Sequence, residues 1–196
     1  YFTGTGSSPT VTINAKALSA ALTGTITKEY NGNTDVTLTS SNYDLTGFIS
    51  GEGANVTKIA GTYNDKDVAD ANSVSTSLNL NDLSENTGTI LSNYTLSTTA
   101  SGTASISKKT LTITGTTTND KVYDGNTTAD VNLGTLSGFV GSETVTTTAV
   151  GTFDDKNAGT RTATFVYTLA DGTNGGLADN YSLADTTDQA VISKKA

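Results

Sequence analysis

One phrase occurs twice in the chain, and this repetition constrains the fold more than any other feature. Residues 28–36 read KEYNGNTDV and residues 121–129 read KVYDGNTTA, with the two tyrosines 93 positions apart (123 − 30 = 93). Further matches follow in the same order, namely GFISGE (47–52) with GFVGSE (138–143), GTYNDKD (61–67) with GTFDDKN (151–157), and SNYTL (92–96) with DNYSL (179–183). Collinear matches of this kind indicate a tandem duplication.

The duplication predicts three segments. The motif ISKK closes each copy, at 106–109 and at 192–195. We therefore predict that residues 1–16 are the closing strand of a preceding repeat, that residues 17–109 form repeat 1, and that residues 110–196 form repeat 2. No Pro-rich or Ser-rich linker separates the copies, so we expect the repeats to form a semi-rigid rod. A start at Tyr1 without Met indicates a piece of a longer array.

The pattern of side chains favours an all-β fold. Apolar residues make up 34% of the chain, below the roughly 45–50% of ordinary globular domains, which predicts thin cores. In RTATFVYTL (161–169) the alternate residues Ala163, Phe165 and Tyr167 are predicted to face a core, while the threonines between them face water. Turn signals recur every ~8–12 residues. We predict two tandem immunoglobulin-like β-sandwich repeats in an extended rod.

The tyrosines and glycines of the repeated phrases are predicted to be structural. Gly32 and Gly125 follow Asn31 and Asp124, and such dipeptides readily supply the positive φ of a tight turn. We expect Tyr30 and Tyr123 to bury their rings at the end of a sandwich, with ligand stacking as the alternative. Two further tyrosines, Tyr94 and Tyr181, have the sequence spacing of a tyrosine corner.

Composition limits the classes of function. The net charge of −8 argues against binding nucleic acid or an anionic membrane surface, both of which attract clustered Lys and Arg. The chain has neither Cys nor His, so thiolate chemistry and the commonest general base are missing. Thin two-sheet domains seldom enclose a deep pocket. We expect neither catalysis nor a membrane-inserted segment.

Acidic loops raise the question of calcium. NDKD (64–67) and DDKN (154–157) contain hard oxygen donors, and the candidate ligands are Asp65, Asp67, Asp154 and Asp155. Each loop also contains a lysine, and neither has the DxDxDG spacing of a dedicated calcium loop. A solvated turn is therefore favoured, and no cofactor is expected, with calcium as the alternative.

An intramolecular Lys–Asn isopeptide bond is a second possibility for these motifs. Such a bond needs a buried Lys, a facing Asn and a carboxyl group to move protons. Both copies contain these residue types, namely Lys28, Glu52 and Asn93 in repeat 1 and Lys121, Glu143 and Asn180 in repeat 2. A lysine beside a turn is usually solvated, which favours the structural interpretation. An intact mass equal to the sequence mass, with no ammonia lost, would rule the bond out.

The repeated motifs also carry a resemblance. The phrases KVYDGNTTA and GTFDDKNAGT, and the DNYSL segment that leads to AVISKK, resemble the YDG-type repeat of large bacterial secreted adhesins. That family includes exoproteins similar to filamentous haemagglutinin, which are exported by two-partner secretion. The resemblance covers nearly all of residues 17–196, although repeat 1 has Asn31 in place of the Asp. It implies a stalk or surface-presented module in an extracellular fibrous protein, with no catalytic residues.

These observations lead to one expected function and two alternatives. We expect a structural and adhesive module of an extracellular or cell-surface protein, whose partners are neighbouring repeats of the same polypeptide. One alternative is a module that binds a host or matrix glycan or a protein through the exposed aromatic side chains Phe48, Tyr63, Phe139 and Phe153. The other is a self-associating filament subunit in which residues 1–16 complete a neighbouring molecule by strand donation.

Overall fold

The computed structural model describes residues 11–196 and has an all-β fold. None of these residues lies in an α-helix, and no described helix is long and apolar enough to cross a membrane. The chain folds into two compact units. Among the described residues, unit 1 contains 11–26, Asp35–Tyr63 and Ser73–Ala104, and unit 2 contains Thr27–Thr34, Asn64–Asn72 and Ser105–Ala196.

The first half of the chain contains eleven strands and three 3-10 turns among the described residues. The strands are β1 (Lys16–Ala17), β2 (Ser19–Leu22), β3 (Ile26–Glu29), β4 (Asp35–Thr37), β5 (Tyr43–Thr46), β6 (Ala54–Val56), β7 (Ala60–Tyr63), β8 (Ser73–Asn79), β9 (Leu83–Glu85), β10 (Tyr94–Thr95) and β11 (Ser97–Ser107). The 3-10 turns span Ser40–Asn42, Leu80–Asp82 and Leu91–Asn93.

The second half of the chain contains ten strands and one 3-10 turn within the same described range. The strands are β12 (Lys109–Thr114), β13 (Thr117–Thr118), β14 (Lys121–Val122), β15 (Thr128–Ala129), β16 (Val131–Asn132), β17 (Thr135–Ser137), β18 (Val145–Phe153), β19 (Gly159–Asp171), β20 (Tyr181–Leu183) and β21 (Thr186–Ser193). The 3-10 turn spans Ala178–Asn180.

The duplication in the sequence is also present in the strand order. Each half of the chain has a five-stranded sheet, in the order β3-β11-β8-β7-β4 and in the order β14-β21-β19-β18-β15. Each strand of one sheet has its counterpart at the same place in the other. The parallel pair β1–β10 likewise corresponds to the parallel pair β12–β20. The two copies therefore share the order of these strands, although the pairs β6–β9 and β13–β16 each occur in one copy among the described residues.

The longest strands confirm the alternation that the sequence predicts. In β19, Ala163 and Phe165 are buried and Tyr167 is half-buried, while the residues at 164, 166 and 168 are exposed. The same strand pairs with β18 in antiparallel register over nine residues. One apolar cluster in the core of unit 2 combines small and large side chains, namely Ala129, Phe153, Ala163, Phe165, Ala190 and Ile192.

Unit 2 also contains two segments that precede it in the chain. Residues 27–34 and 64–72 belong to repeat 1 by sequence, but they pack with residues 105–196. Within unit 2, the backbone N–H of Tyr30 donates to the carbonyl of Ser107, and Lys109 pairs with Glu29 at 3.1 Å. A compact unit of this protein is thus built from one repeat together with two loops of the repeat before it.

Candidate functional site

The centre of the site is a carboxylate held by two tyrosine hydroxyls. In unit 2 the Tyr30 hydroxyl donates to Glu143 Oε1 at 2.8 Å, and the Tyr181 hydroxyl donates to Glu143 Oε2 at 2.6 Å. The two tyrosine rings meet edge to face with centroids 5.5 Å apart. Both tyrosines are 1% exposed. We call Tyr30, Glu143 and Tyr181 the tyrosine clamp.

Local structure places each member of the clamp. Tyr30 directly follows β3 and precedes a turn in which Gly32 has φ +80°. Tyr181 opens β20 after a 3-10 turn. Glu143 ends a loop in which its own N–H donates to the carbonyl of Val140, and the N–H of Val140 donates to the Tyr181 hydroxyl at 3.1 Å. The loop and the tyrosine therefore fix each other.

Gly32 is required for close approach as well as for its backbone angle. A Cβ at this position would lie 2.9 Å from Cγ1 of Val140, and the positive φ itself disfavours other residues. The corresponding Gly125 has φ +84° and nothing within 4 Å of an added Cβ. Both turns have the predicted positive φ, but only the first is packed against a partner in the described part of the chain.

A buried amide forms the second contact of the site. Asn180 is 0% exposed. Its Nδ2 donates to Asp67 Oδ1 at 2.7 Å, and its Oδ1 accepts from the N–H of Val68 at 2.8 Å. Because a buried amide that loses its partners costs free energy, the loop at 64–72 is held to its position beside Asn180. We call Phe139, Glu143, Asn180 and Tyr181 the second socket.

Repeat 1 contains the corresponding socket residues, but they bind one tyrosine hydroxyl instead of two among the described residues. Tyr94 donates its hydroxyl to Glu52 Oε2 at 2.5 Å and accepts from the N–H of Ile49 at 3.2 Å. Phe48 packs edge to face on Tyr94 with centroids 5.0 Å apart. Within residues 11–196, however, no second tyrosine contacts Glu52, and Asn93 is exposed. We call Phe48, Glu52, Asn93 and Tyr94 the first socket.

Electrostatics follow from this geometry. Burial, followed by the hydrogen bond to the Glu143 carboxylate, raises the pKa of Tyr181 to about 12. The same two causes raise the pKa of Tyr30. Burial and then the hydrogen bond to Glu52 raise the pKa of Tyr94. The hydroxyls of Tyr30 and Tyr181 therefore keep their protons in neutral and mildly alkaline solution.

We expect stability to fall in alkaline solution. Below about pH 10, the ordinary pKa of tyrosine, the folded and unfolded chains both hold these protons and stability is fully present. Between about pH 10 and the raised folded pKa, the unfolded chain loses its protons first, so stability is lost as pH rises. Urea unfolding at a series of pH values tests this. The absorbance of tyrosinate can also be titrated in the folded wild type and in folded Tyr181→Phe, and the difference between the two curves reports Tyr181 alone. If that difference shows Tyr181 ionising at the ordinary tyrosine pKa, the prediction is contradicted.

The calcium candidates act as turn acceptors. Asp65 accepts from the N–H of Asp67 at 2.9 Å, and Asp67 also accepts from Lys66 Nζ at 2.6 Å. Asp155 accepts from the N–H of Asn157, and Asp154 accepts from that of Thr162. In residues 11–196 no group of three or more acidic side chains is arranged to hold a metal ion. The interpretation of these loops as turns accounts for these bonds.

The isopeptide candidates of repeat 2 have separate partners. Lys121 donates to Asn126 Oδ1 at 3.0 Å and pairs with Asp124 at 3.0 Å, so it braces its own turn. Asn180 is held by the loop at 64–72, and Glu143 by the two tyrosines. In repeat 1, Lys28 likewise donates to Asn31 Oδ1 at 2.8 Å. The structure joins Glu143 and Asn180 in one socket. Lys121 lies at the other end of the same sheet, since it pairs with Ile192 and Ile192 pairs with Gly159, whereas Val145 beside Glu143 pairs with Asp171.

Two sequence interpretations need correction. Tyr63 and Phe153 are buried, each at 2% exposure, so they are core residues and the prediction that they form a contact surface is wrong. Phe48 and Phe139 are half-buried against Tyr94 and Tyr181.

The tyrosine-corner interpretation is also wrong in its bonding. The Tyr181 hydroxyl accepts from the N–H of Val140, which is 41 residues away, and not from backbone a few residues upstream. The strand-donation prediction falls mainly on residues 1–10, which lie outside the described residues.

Comparison with known proteins gives a family for the chain. A search of curated proteins found no match. A family model described as the YDG domain matches twice, at residues 14–102 and at residues 107–188. Each match contains one socket and one tyrosine turn, which are the elements described above. The two matches together span most of the chain, and the protein therefore belongs to the YDG-domain family.

Proposed function

We propose that this chain is a structural module of an extracellular or cell-surface fibrous protein of bacteria, in which tandem YDG repeats hold a distal binding region away from the cell. We further propose that each repeat is an immunoglobulin-like β-sandwich and that the repeats form an extended rod. The module works mechanically and carries out no reaction. Its resemblance to the repeats of secreted adhesins supports this assignment.

The observation that carries the proposal is the way unit 2 is built. A rod needs junctions that resist bending, and a flexible linker cannot supply one. Here residues 27–34 and 64–72 are part of the compact unit formed by residues 105–196. The tyrosine clamp and the bonds of Asn180 hold these segments with buried rings and charge-assisted hydrogen bonds.

The surface of the strands suits a module exposed to water. In β18 and β19 the outward positions include Thr146, Thr148, Thr164 and Thr168, all of which are exposed. Threonine favours strands because it is β-branched, and its hydroxyl binds water. Such faces give a soluble strand surface without a high density of charge.

Small-angle X-ray scattering tests the rod. A compact globule of this length has a radius of gyration of roughly 16 Å. We expect a value well above this and a pair-distance distribution with a long tail, the form given by two units in a line. A matched measurement on Tyr30→Ala should show a broader distribution, because the junction loses its ring. A radius near that of a single globule would contradict the proposal.

A further inference from the structure

We call residues 28–33 the first turn and residues 121–128 the second turn. The second turn and the first socket are equivalent, by the duplication, to the two parts of a contact that is present in unit 2. Unit 2 contains an assembled pair, in which Tyr30 of the first turn reaches Glu143 and Tyr181 of the second socket. By the duplication, Tyr123 corresponds to Tyr30, and Glu52 and Tyr94 correspond to Glu143 and Tyr181. Each of these three residues lacks the corresponding contact within residues 11–196.

Several side chains at the first socket are more exposed than their counterparts at the second socket. Ile49, which corresponds to Val140, is 54% exposed, and Ile90 beside the socket is 57% exposed. Asn93 is exposed, whereas its counterpart Asn180 is fully buried. An open groove runs past Phe48, Ile49 and Glu52. Exposed apolar side chains around a carboxylate that already binds one tyrosine have the chemistry of an interaction site.

The second turn is equally exposed. Val122 is 57% exposed, Tyr123 is only half-buried, and space surrounds Gly125. The turn is nevertheless well formed, because Lys121 donates to the carbonyls of Asn126 and Thr128 and pairs with Asp124. The nearby loop at 154–157 repeats the bonding of the loop at 64–67, with Asp155 accepting the N–H two residues on. The turn is thus preorganised for binding, which lowers its cost.

We propose that the first socket binds the second turn of another copy of this chain, so that copies associate head to tail. Tyr123 of one copy would donate its hydroxyl to Oε1 of Glu52 in the next copy, the oxygen that Tyr94 does not use, and Gly125 would pack on Ile49 as Gly32 packs on Val140. Asn157 of the same copy would lie near Asn93, in the place that Asp67 occupies beside Asn180. This inference rests on the proposed function, since it assigns the same contact to every junction of an array.

The arrangement has a definite symmetry. The turn and the socket are different surfaces, so the contact is heterologous, and a pair of copies still has one unfilled turn and one unfilled socket. Copies should therefore add one after another into open chains. Inside unit 2 the first turn and the second socket belong to one polypeptide, so the effective concentration of the turn at the socket is on the order of millimolar. Separate copies lack this help, so we expect association only at high protein concentration.

Complementary variants test the proposal on the intact chain by sedimentation velocity. The wild type should show an average mass that rises with concentration. Tyr123→Ala removes the turn's ring, and Ile49→Asp places a charge on the exposed rim of the socket beside Glu52. We expect each variant alone to associate at least about tenfold more weakly, the loss of roughly 1.4 kcal/mol. An equimolar mixture should recover one intact contact and stop at a dimer.

A control variant distinguishes this contact from nonspecific hydrophobic association. Ile59→Asp is the matched control, because Ile59 is 61% exposed in unit 1 but lies outside the socket, and it should associate like the wild type. A wild type that stays monomeric at every concentration overturns the proposal, as does association that survives both Tyr123→Ala and Ile49→Asp. The latter result would point to strand donation. Scattering that shows a rod beside a monomeric wild type would reject this inference alone.

Discussion

Replacing Tyr30 with alanine is expected to lower the free energy of unfolding by about 3–5 kcal/mol, the usual cost of deleting a buried aromatic ring. The ring is 1% exposed and packs edge to face on Tyr181, and its hydroxyl is bonded to Glu143. Urea unfolding followed by circular dichroism measures the change. Tyr30→Phe keeps the ring and loses only the hydroxyl, so it should cost about 1.5–3 kcal/mol, the value of a hydrogen bond to a charged group.

The duplication provides the control for this prediction. Tyr123 occupies the same place in the motif of repeat 2, but it is half-buried and makes no hydrogen bond through its hydroxyl within residues 11–196. We expect Tyr123→Ala to cost less than about half as much as Tyr30→Ala, because less of its ring leaves a packed environment. Equal losses from the two substitutions would show that the clamp contributes nothing beyond the turn itself.

Replacing Glu143 with alanine is the second large effect that we expect. This carboxylate accepts two hydroxyls from buried tyrosines, at 2.8 Å and 2.6 Å. Each hydrogen bond to a charged group contributes about 1.5–3 kcal/mol, so we expect a loss of about 3–6 kcal/mol in the free energy of unfolding. Chemical denaturation measures it.

Glu52→Ala is the matched control for Glu143→Ala. Glu52 accepts from one tyrosine hydroxyl, that of Tyr94, in the described part of the chain. We therefore expect about half the loss that Glu143→Ala gives. If Glu52→Ala proves as costly as Glu143→Ala, the bond from Tyr30 contributes nothing to the free energy of unfolding, and residues 27–34 must be held in unit 2 by other contacts.

Sequence patterns predicted much of the fold because they are local or repeated. The alternation in residues 159–171 determined which side chains of β19 face the core, and the glycines at 32 and 125 have the positive φ expected of their turns. The duplication predicted two copies, and the two five-stranded sheets have the same strand order. Each of these features depends on neighbours in the chain or on a comparison of one copy with the other.

The partners across the site were not predicted, because nothing local encodes them. Tyr30 and Glu143 are 113 positions apart, and so are Asp67 and Asn180. The recurrence of Glu52 with Glu143 and of Asn93 with Asn180 was a usable signal, but the sequence argument paired them with lysines. The burial of Tyr63 and Phe153 was missed because their exposure depends on packing between distant strands. A glutamate that recurs in each copy between the tyrosine of the turn and the tyrosine of the socket is the pattern to seek in related chains.

The central claim is that two loops of the first repeat complete the compact unit of the second. Hydrogen exchange of backbone amides, compared between the wild type and Tyr30→Ala, tests this most directly. We predict that the substitution, which lies in the first repeat by sequence, lowers protection in Gly159–Asp171 and Thr186–Ser193 of unit 2. Loss of protection confined to Ser73–Asn79 and the other strands of unit 1 would contradict the claim.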